Sequence, residues 1–242
     1  GLQKLGHDPS NGLRGVKAHP EILASAPNAT IVAMVGVTHP ATIDLGLAEL
    51  RRRFDPAAPK VEILRLLLSH HRPNVKALGL EWLEASRGVW TRDAALVLGL
   101  LASPDNEVRS TVAEQAARAL ADAPADVREA LARGVWDELA KPELGEGAHD
   151  AYGRLGQLLA KEIATLAPVT ALMARLGNGS PAARGVALAA LSQKPDAVTL
   201  LGIDRLVLLA SDETGGVRAA AFQLLELAID ELNRDPSGLF AL

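Results

Sequence analysis

The amino-acid sequence predicts an all-α protein, a right-handed α-solenoid of about seven stacked antiparallel helical hairpins. The first of three supporting observations is a recurring marker. A small polar or turn-prone residue is followed five positions later by an apolar one, usually with a base next to it. It stands at Asp8/Leu13/Arg14, Thr38/Ile43/Asp44, His70/Val75/Lys76, Ser103/Val108/Arg109, Glu143/Ala148/His149, Asn178/Ala183/Arg184 and Asp212/Val217/Arg218. The apolar members are 30, 32, 33, 40, 35 and 34 residues apart, within the period range of helical repeats. The second observation is composition: 48% hydrophobic but only 3% aromatic, with Ala and Leu dominant, which suits close helix packing better than a β-sandwich. The third is punctuation, since prolines and capping residues fall beside the markers and divide the chain into helix pairs.

One continuous repeat domain over 1–242 is expected, with units near 1–26, 27–57, 58–88, 89–124, 125–164, 165–197 and 198–235. In the first, Asp8 precedes Pro9, and in the second, Thr38 precedes Pro40 and Arg51, Arg52 and Arg53 close the second helix, where their charge suits the carbonyl end of the dipole. The third turns at His70–Pro73 and places Trp82 seven residues after Val75, a core position held by Leu50 and Leu224 elsewhere. In the fourth, Thr91 is the expected cap of a first helix burying Ala94, Ala95, Leu98 and Leu101. Ser103 caps the second, which Pro104 opens at no hydrogen-bonding cost and which buries Val108, Val112, Ala116 and Ala119. The fifth has a turn loosened by Gly145 and Gly147 and Trp136 in its first-helix core; the sixth breaks at Asn178-Gly179-Ser180-Pro181; the seventh turns at Asp212. The apolar end, Leu239 to Leu242, is expected to fold back on the last hairpin or to touch another component. Ordering about 34 residues costs roughly 50 kcal/mol of conformational entropy, more than one hairpin's own contacts offset, so stacking on neighbours is obligatory.

The charge balance narrows the partner class. Residues 1–120 carry 14 bases against 12 acids and residues 121–242 carry 11 against 17, so the net charge of −4 hides an acidic second half. A chain that wraps phosphate backbones needs a dense basic surface, and nucleic acid is therefore not the expected partner. There are no cysteines, which excludes disulfides and thiolate metal sites and fits a cytoplasmic compartment. No apolar run reaches the roughly 18 residues needed to span a bilayer.

The stretches SPDNEVRSTVAEQAARALA and SDETGGVRAAAFQLLELA resemble HEAT repeats, which pair helices around a turn with Pro and Asp and open the second helix with Val and a base. The resemblance covers essentially the whole chain, departing at Asp44 in the second unit and at the Gly-containing turn of the fifth. It implies an armadillo-type fold in which Arg14, Lys76, Arg109, Arg184 and Arg218 pair with a column of turn carboxylates (Asp8, Asp105, Asp212) as a structural ladder. Neither the Thr-Pro-Leu-His motif of ankyrin arrays nor the Trp-Leu-Gly-Tyr pattern of tetratricopeptide arrays recurs here.

No grouping of nucleophile, base and orienting residue is present, and there is no phosphate-cradling Gly loop, so no catalytic residue, cofactor or metal ligand is assigned and the chain is not expected to be an enzyme. His7, His39, His70, His71 and His149 fall at or beside the turns, but successive repeats lie roughly 10 Å apart, too far for a shared metal. Counting from each apolar marker, offsets +6 and +9 point away from a core formed by 0, +3, +4, +7 and +8. In HEAT-like stacks they line the concave groove, and here they place Glu49, Glu81, Glu84 and Glu114 on an acidic surface. Trp90, between hairpins beside Gly88, is the tryptophan expected to be partly exposed. The expected function is thus a non-catalytic protein-binding or scaffold module whose groove takes another protein, such as a basic extended segment, with Glu49, Glu81, Glu84, Glu114 and Trp90 as candidate contacts. The alternative is a nucleic-acid-binding module or a HEAT-like DNA glycosylase using the basic ladder and Trp90.

Overall fold

The computed structural model describes residues 20–141, 144–194 and 196–234. The first marker set (Asp8, Leu13, Arg14), His7, Glu143 and the apolar end Leu239–Leu242 lie outside the described residues. Among those described there are sixteen α-helices and no strand, in agreement with the all-α expectation. The helices are α1 (Pro20–Ser25), α2 (Asn28–Val35), α3 (Pro40–Arg53), α4 (Val61–Leu68), α5 (Pro73–Ala85) and α6 (Arg87–Trp90); then α7 (Ala94–Leu101), α8 (Asn106–Ala119), α9 (Ala125–Glu138), α10 (Glu146–Leu158), α11 (Ala160–Leu166) and α12 (Val169–Asn178); and finally α13 (Pro181–Leu191), α14 (Ala197–Leu201), α15 (Ile203–Ala210) and α16 (Gly215–Arg234). They form two compact units, Gly1–Trp90 and Thr91–Leu242.

In the first unit α2 packs on α3 and α4 on α5, each pair joined by a short turn. Proline opens the second helix of both pairs, Pro40 in α3 and Pro73 in α5, where its missing N–H leaves no carbonyl unmatched. Phe54 at the end of α3 stacks on Trp82 of α5 at 4.1 Å between ring centroids, which fastens one pair to the other.

The second unit is a series of packed pairs. α7 packs on α8, α9 on α10, α12 on α13 and α15 on α16. The second helices also follow one another, α8 against α10, α10 against α13 and α13 against α16, while α7 packs on α9 and α9 on α11. Two glycines of α10 permit its close approach to α13: a Cβ at Gly153 would lie 2.8 Å from Ala182 Cβ, and one at Gly156 would lie 2.7 Å from Val186 Cγ2. Polar ties join other helices of the unit. Tyr152 on α10 donates its hydroxyl to the Leu98 carbonyl of α7 at 2.7 Å, and Arg128 on α9 pairs with Glu162 on α11 at 2.6 Å.

All six described apolar markers, Ile43, Val75, Val108, Ala148, Ala183 and Val217, are buried, and each is the third or fourth residue of its helix. The position seven residues on is buried too, in Leu50, Trp82, Gln115, Leu155, Ala190 and Leu224. Local assignments between Thr91 and Ala119 need correction. Asp93, not Thr91, caps α7 by accepting from the Leu96 N–H, and Thr91 is buried. Asp105, not Ser103, caps α8 by accepting from the Glu107 and Val108 N–H groups, while Ser103 Oγ accepts from the Asp105 N–H. With α7 starting at Ala94, its core face is Leu96, Val97, Leu100 and Leu101, larger side chains that remove more apolar area from water than Ala94 and Ala95 would.

Candidate binding surface

The outward offsets of the second helices define a surface in each unit. In the second unit, offset +6 holds Glu114, Arg154, Ala189 and Gln223, and +9 holds Ala117, Gln157, Ser192 and Glu226. All eight are exposed or half-buried, as a helix with its 0, +4 and +7 positions in the core requires. The sheet of second helices α8, α10, α13 and α16 therefore presents one mixed-charge face. The Gln157 side chain extends over α13: its amide nitrogen lies 3.2 Å from where a Cβ would sit on Gly185 and 2.7 Å from one on Gly216. Those two glycines leave the room it occupies.

Glu49 does not belong to an exposed acidic row. It is only 8% exposed, and its carboxylate is enclosed by two neighbouring guanidinium groups. Arg52 donates Nη2 to Oε1 at 2.6 Å and Nε to Oε2 at 3.0 Å, and Arg53 adds Nε to Oε1 at 2.6 Å. The Arg52 hydrogen bonds lower the Glu49 pKa most; burial opposes them, Arg53 assists, and the group falls to about 2. Arg53 continues to the end of α1, donating Nη1 to the Ala26 carbonyl at 2.7 Å and to Asn28 Oδ1 at 2.9 Å, and Nη2 to the carbonyls of Leu23 and Ala24. It caps α1 rather than answering the dipole of its own helix. A shallow open depression lies beside it, lined by Asn28, Arg53, Phe54, Lys60 and Trp82 among others.

The remaining carboxylates are exposed, and each has a basic partner. Glu81 faces Arg51 at 3.6 Å, Glu84 accepts from Arg87 at 3.3 Å, and Glu114 accepts from Arg118 one helical turn on. Glu81 and Glu84 belong to the first unit and Glu114 to the second. Trp90 is the reverse of its expectation: it is 1% exposed, and its indole Nε1 donates to the Leu83 carbonyl at 2.8 Å. The one-turn helix α6 folds the ring back onto α5, and a buried indole N–H needs that acceptor. Trp136 is half-buried instead of core, with the Arg175 guanidinium 3.6 Å from its ring centroid and donating to its carbonyl.

The bases at the markers tie turns together. In the second unit three of them touch the following pair: Arg109 lies against Gly147 in the first turn of α10, His149 Nδ1 is 3.0 Å from Ser180 Oγ, and Arg184 pairs with Asp212. Arg218, in the last described pair, holds its own turn by donating to the carbonyls of Asp212 and Glu213. Burial pushes the Asp212 carboxyl up, but hydrogen bonds from the Thr214 backbone and hydroxyl and from Arg184 outweigh it and hold the group below the ordinary carboxylate range. Arg184 thus has the turn carboxylate that the resemblance implies for it, whereas Arg109 and His149 meet a glycine and a serine of the next pair and Arg218 meets backbone carbonyls; the bases do not converge on one ligand.

His70 and His71 stack with ring centroids 4.5 Å apart, and His70 Nδ1 accepts from the Arg72 N–H at 3.1 Å. Burial, then the neighbouring His71, lower the His70 pKa. Among the described residues no three His, Asp or Glu side chains are grouped as a metal site. No protein-family model matches the sequence, and no curated protein is similar to it.

Proposed function

We propose that the chain is a non-catalytic protein-binding or scaffold module, a right-handed HEAT-like α-solenoid that takes its partner along the face of its second helices. The observation that carries this reading is the sequence of contacts in the second unit, where four second helices pack in succession with their marker and +7 positions buried and their +6 and +9 positions at the surface. A face built in this way offers an extended partner a regular set of side chains about one helix diameter apart.

Its chemistry is mixed. Glu114 and Arg154 bring opposite charges at adjacent helices, Ala189 and Ser192 leave a low uncharged step, and Gln223 and Glu226 follow. The partner is an extended polypeptide with a base opposite Glu114 and a carboxylate opposite Arg154, in place of the uniformly basic segment that an acidic row with Glu49 would have selected. The nucleic-acid alternative has lost its aromatic contact, because the Trp90 ring and its N–H are both engaged inside the first unit.

A charge-reversal experiment separates the surfaces. A partner is isolated on immobilised protein and then titrated against Arg154→Glu plus Gln157→Glu, with Arg133→Glu on the first-helix layer as the comparison. The expected result is at least tenfold weaker binding for the first variant, about 1.4 kcal/mol, and unchanged binding for Arg133→Glu. Equal affinity of both variants for the partner would remove the second-helix face from consideration.

A further inference from the structure

Three of the described histidines hold Nδ1 in a hydrogen bond, and the partners differ in one respect. His39 faces the Thr42 hydroxyl at 3.2 Å and His149 the Ser180 hydroxyl at 3.0 Å. A hydroxyl donates or accepts, so either of these rings can gain a proton and keep its partner. His70 is different. Its Nδ1 meets the backbone N–H of Arg72 at 3.1 Å, and a backbone N–H only donates. The bond exists only while Nδ1 keeps its lone pair, so the neutral ring carries its proton on Nε2.

The bond lies where the two helix pairs of the first unit meet. Arg72 stands at the cap position of α5, and its guanidinium donates Nη2 to the Thr38 carbonyl at 2.7 Å, in the turn between α2 and α3. The Val35 carbonyl, at the end of α2, hydrogen-bonds to the half-buried His70 ring. Two contacts thus join the α4–α5 turn to the α2–α3 turn. On its own turn the ring faces His71, stacked at 4.5 Å, and Arg72, and both disfavour a further positive charge, as burial does. From α2 the Val35 carbonyl favours that charge, and His39 in the facing turn is engaged with Thr42. Among the described residues no carboxylate pairs with the ring.

We propose that His70 is a pH-operated catch of the first unit, which holds the α4–α5 turn to the end of α2 while neutral and releases that turn when a proton from solvent adds at Nδ1. Protonation converts the lone pair into an N–H aimed at the Arg72 N–H, so two donors face each other. The Val35 carbonyl grips the ring from the other side and bonds more strongly to the cation, so the turn gives way and the ring stays. With Arg72 displaced, its bond to the Thr38 carbonyl is lost as well. Burial, then His71, hold the folded-state pKa of His70 below the ordinary 6.5, so the unfolded chain takes up the proton first. The stabilisation is therefore complete above 6.5 and is lost as the pH falls below it. The catch lies within the first unit and does not depend on the binding face proposed for the second.

The test is NMR of the full, nitrogen-labelled chain between about pH 7.5 and about pH 5, beside His70→Asn and His71→Asn. Asparagine offers Oδ1 to the same N–H two residues on and does not titrate, so His70→Asn keeps the turn bonded at every pH. Long-range nitrogen–proton correlation in the native chain is expected to show the neutral His70 ring protonated on Nε2. Protection of the Arg72 amide against exchange, referred to the unstructured rate at each pH, is expected to fall by about fivefold or more in the native chain and in His71→Asn, in step with titration of the His70 ring. In His70→Asn it is expected to change by less than about twofold. A neutral His70 protonated on Nδ1 overturns the proposal, as does a ring that stays neutral down to about pH 5. Arg72 protection that is unchanged while the His70 ring titrates overturns it too. So does an equal fall in His70→Asn, since that outcome would assign the acid response to another group.

Discussion

Glu49 in the first unit and Glu114 in the second stand at the same offset, six residues after a buried marker, and both precede an arginine four residues on. Their environments are opposite. Glu49 is buried under Arg52 and Arg53, while Glu114 is exposed and pairs with an exposed Arg118. The difference begins with Arg53, whose guanidinium is drawn to the carbonyl end of α1, some 27 to 30 residues earlier, and carries the Glu49 carboxylate inward with it. Among the described residues no such acceptor engages Arg118, and its pair with Glu114 is exposed to water, where an ion pair contributes little. An offset on a helix therefore sets direction, and a tertiary acceptor decides whether the side chain is part of the surface.

The strongest way to break this contrast is Arg53→Ala. It removes the cap on α1 and one of two cations from a buried carboxylate, so the first unit is expected to lose about 3 kcal/mol. Because the chain has two compact units, a single unfolding midpoint would mix them. Hydrogen exchange read on peptides from residues 20–90 and from residues 91–234 gives each its own value, and the loss should be confined to the first set. Equal deprotection in both would show that the network does not act within its own unit.

Acid is the next largest lever, with an expected effect of about 2 kcal/mol. The Glu49 carboxyl lies at about 2 in the folded chain against an ordinary value of 4.5. A depressed folded-state value means that the stabilisation is complete above 4.5 and is lost as pH falls from there toward about 2. Glu49→Gln removes the titrating group, so the native chain should lose first-unit stability between pH 5 and 2.5 more steeply than the variant. Parallel pH profiles for the two would refute the assignment.

These networks explain what could be read from the amino-acid order and what could not. The markers from Ile43 to Val217 were legible because burial of one stripe on each second helix is a periodic, local signal, and so was the core position of Trp82. The cap of α7 was misplaced because Thr91 and Asp93 are both good capping residues two positions apart, and only the helix start distinguishes them. Glu49 and Trp90 were misplaced for a different reason. Their burial depends on partners that no periodicity announces, the α1 carbonyls through Arg53 and the Leu83 carbonyl reached by a one-turn helix.

A smaller effect is expected from the ladder of the second unit. Arg184 and Asp212 join successive pairs and are both largely buried, with 23% and 9% of their side chains exposed. A double-mutant cycle with Arg184→Ala and Asp212→Asn should give a coupling of about 1 kcal/mol, read from exchange in peptides of α13 and α16. Additive single effects would mean that the two residues stabilise their own turns independently, Arg184 through the Leu176 carbonyl and Asp212 through the Thr214 N–H.

The smallest effect completes the comparison with Glu49. Glu114→Gln removes a carboxylate whose side chain is 62% exposed from an arginine that is 61% exposed, so the second unit should change by no more than about 0.5 kcal/mol. The expected value is small because the Coulomb attraction is screened by water and the two long side chains lose rotamer freedom when they pair. The variant should also be insensitive to salt between about 0.05 and 0.5 M, apart from the change shared with the native chain. A loss comparable to that of Glu49→Gln would show that the Glu114 pair is sheltered in solution, and the contrast between the two offsets would then fall.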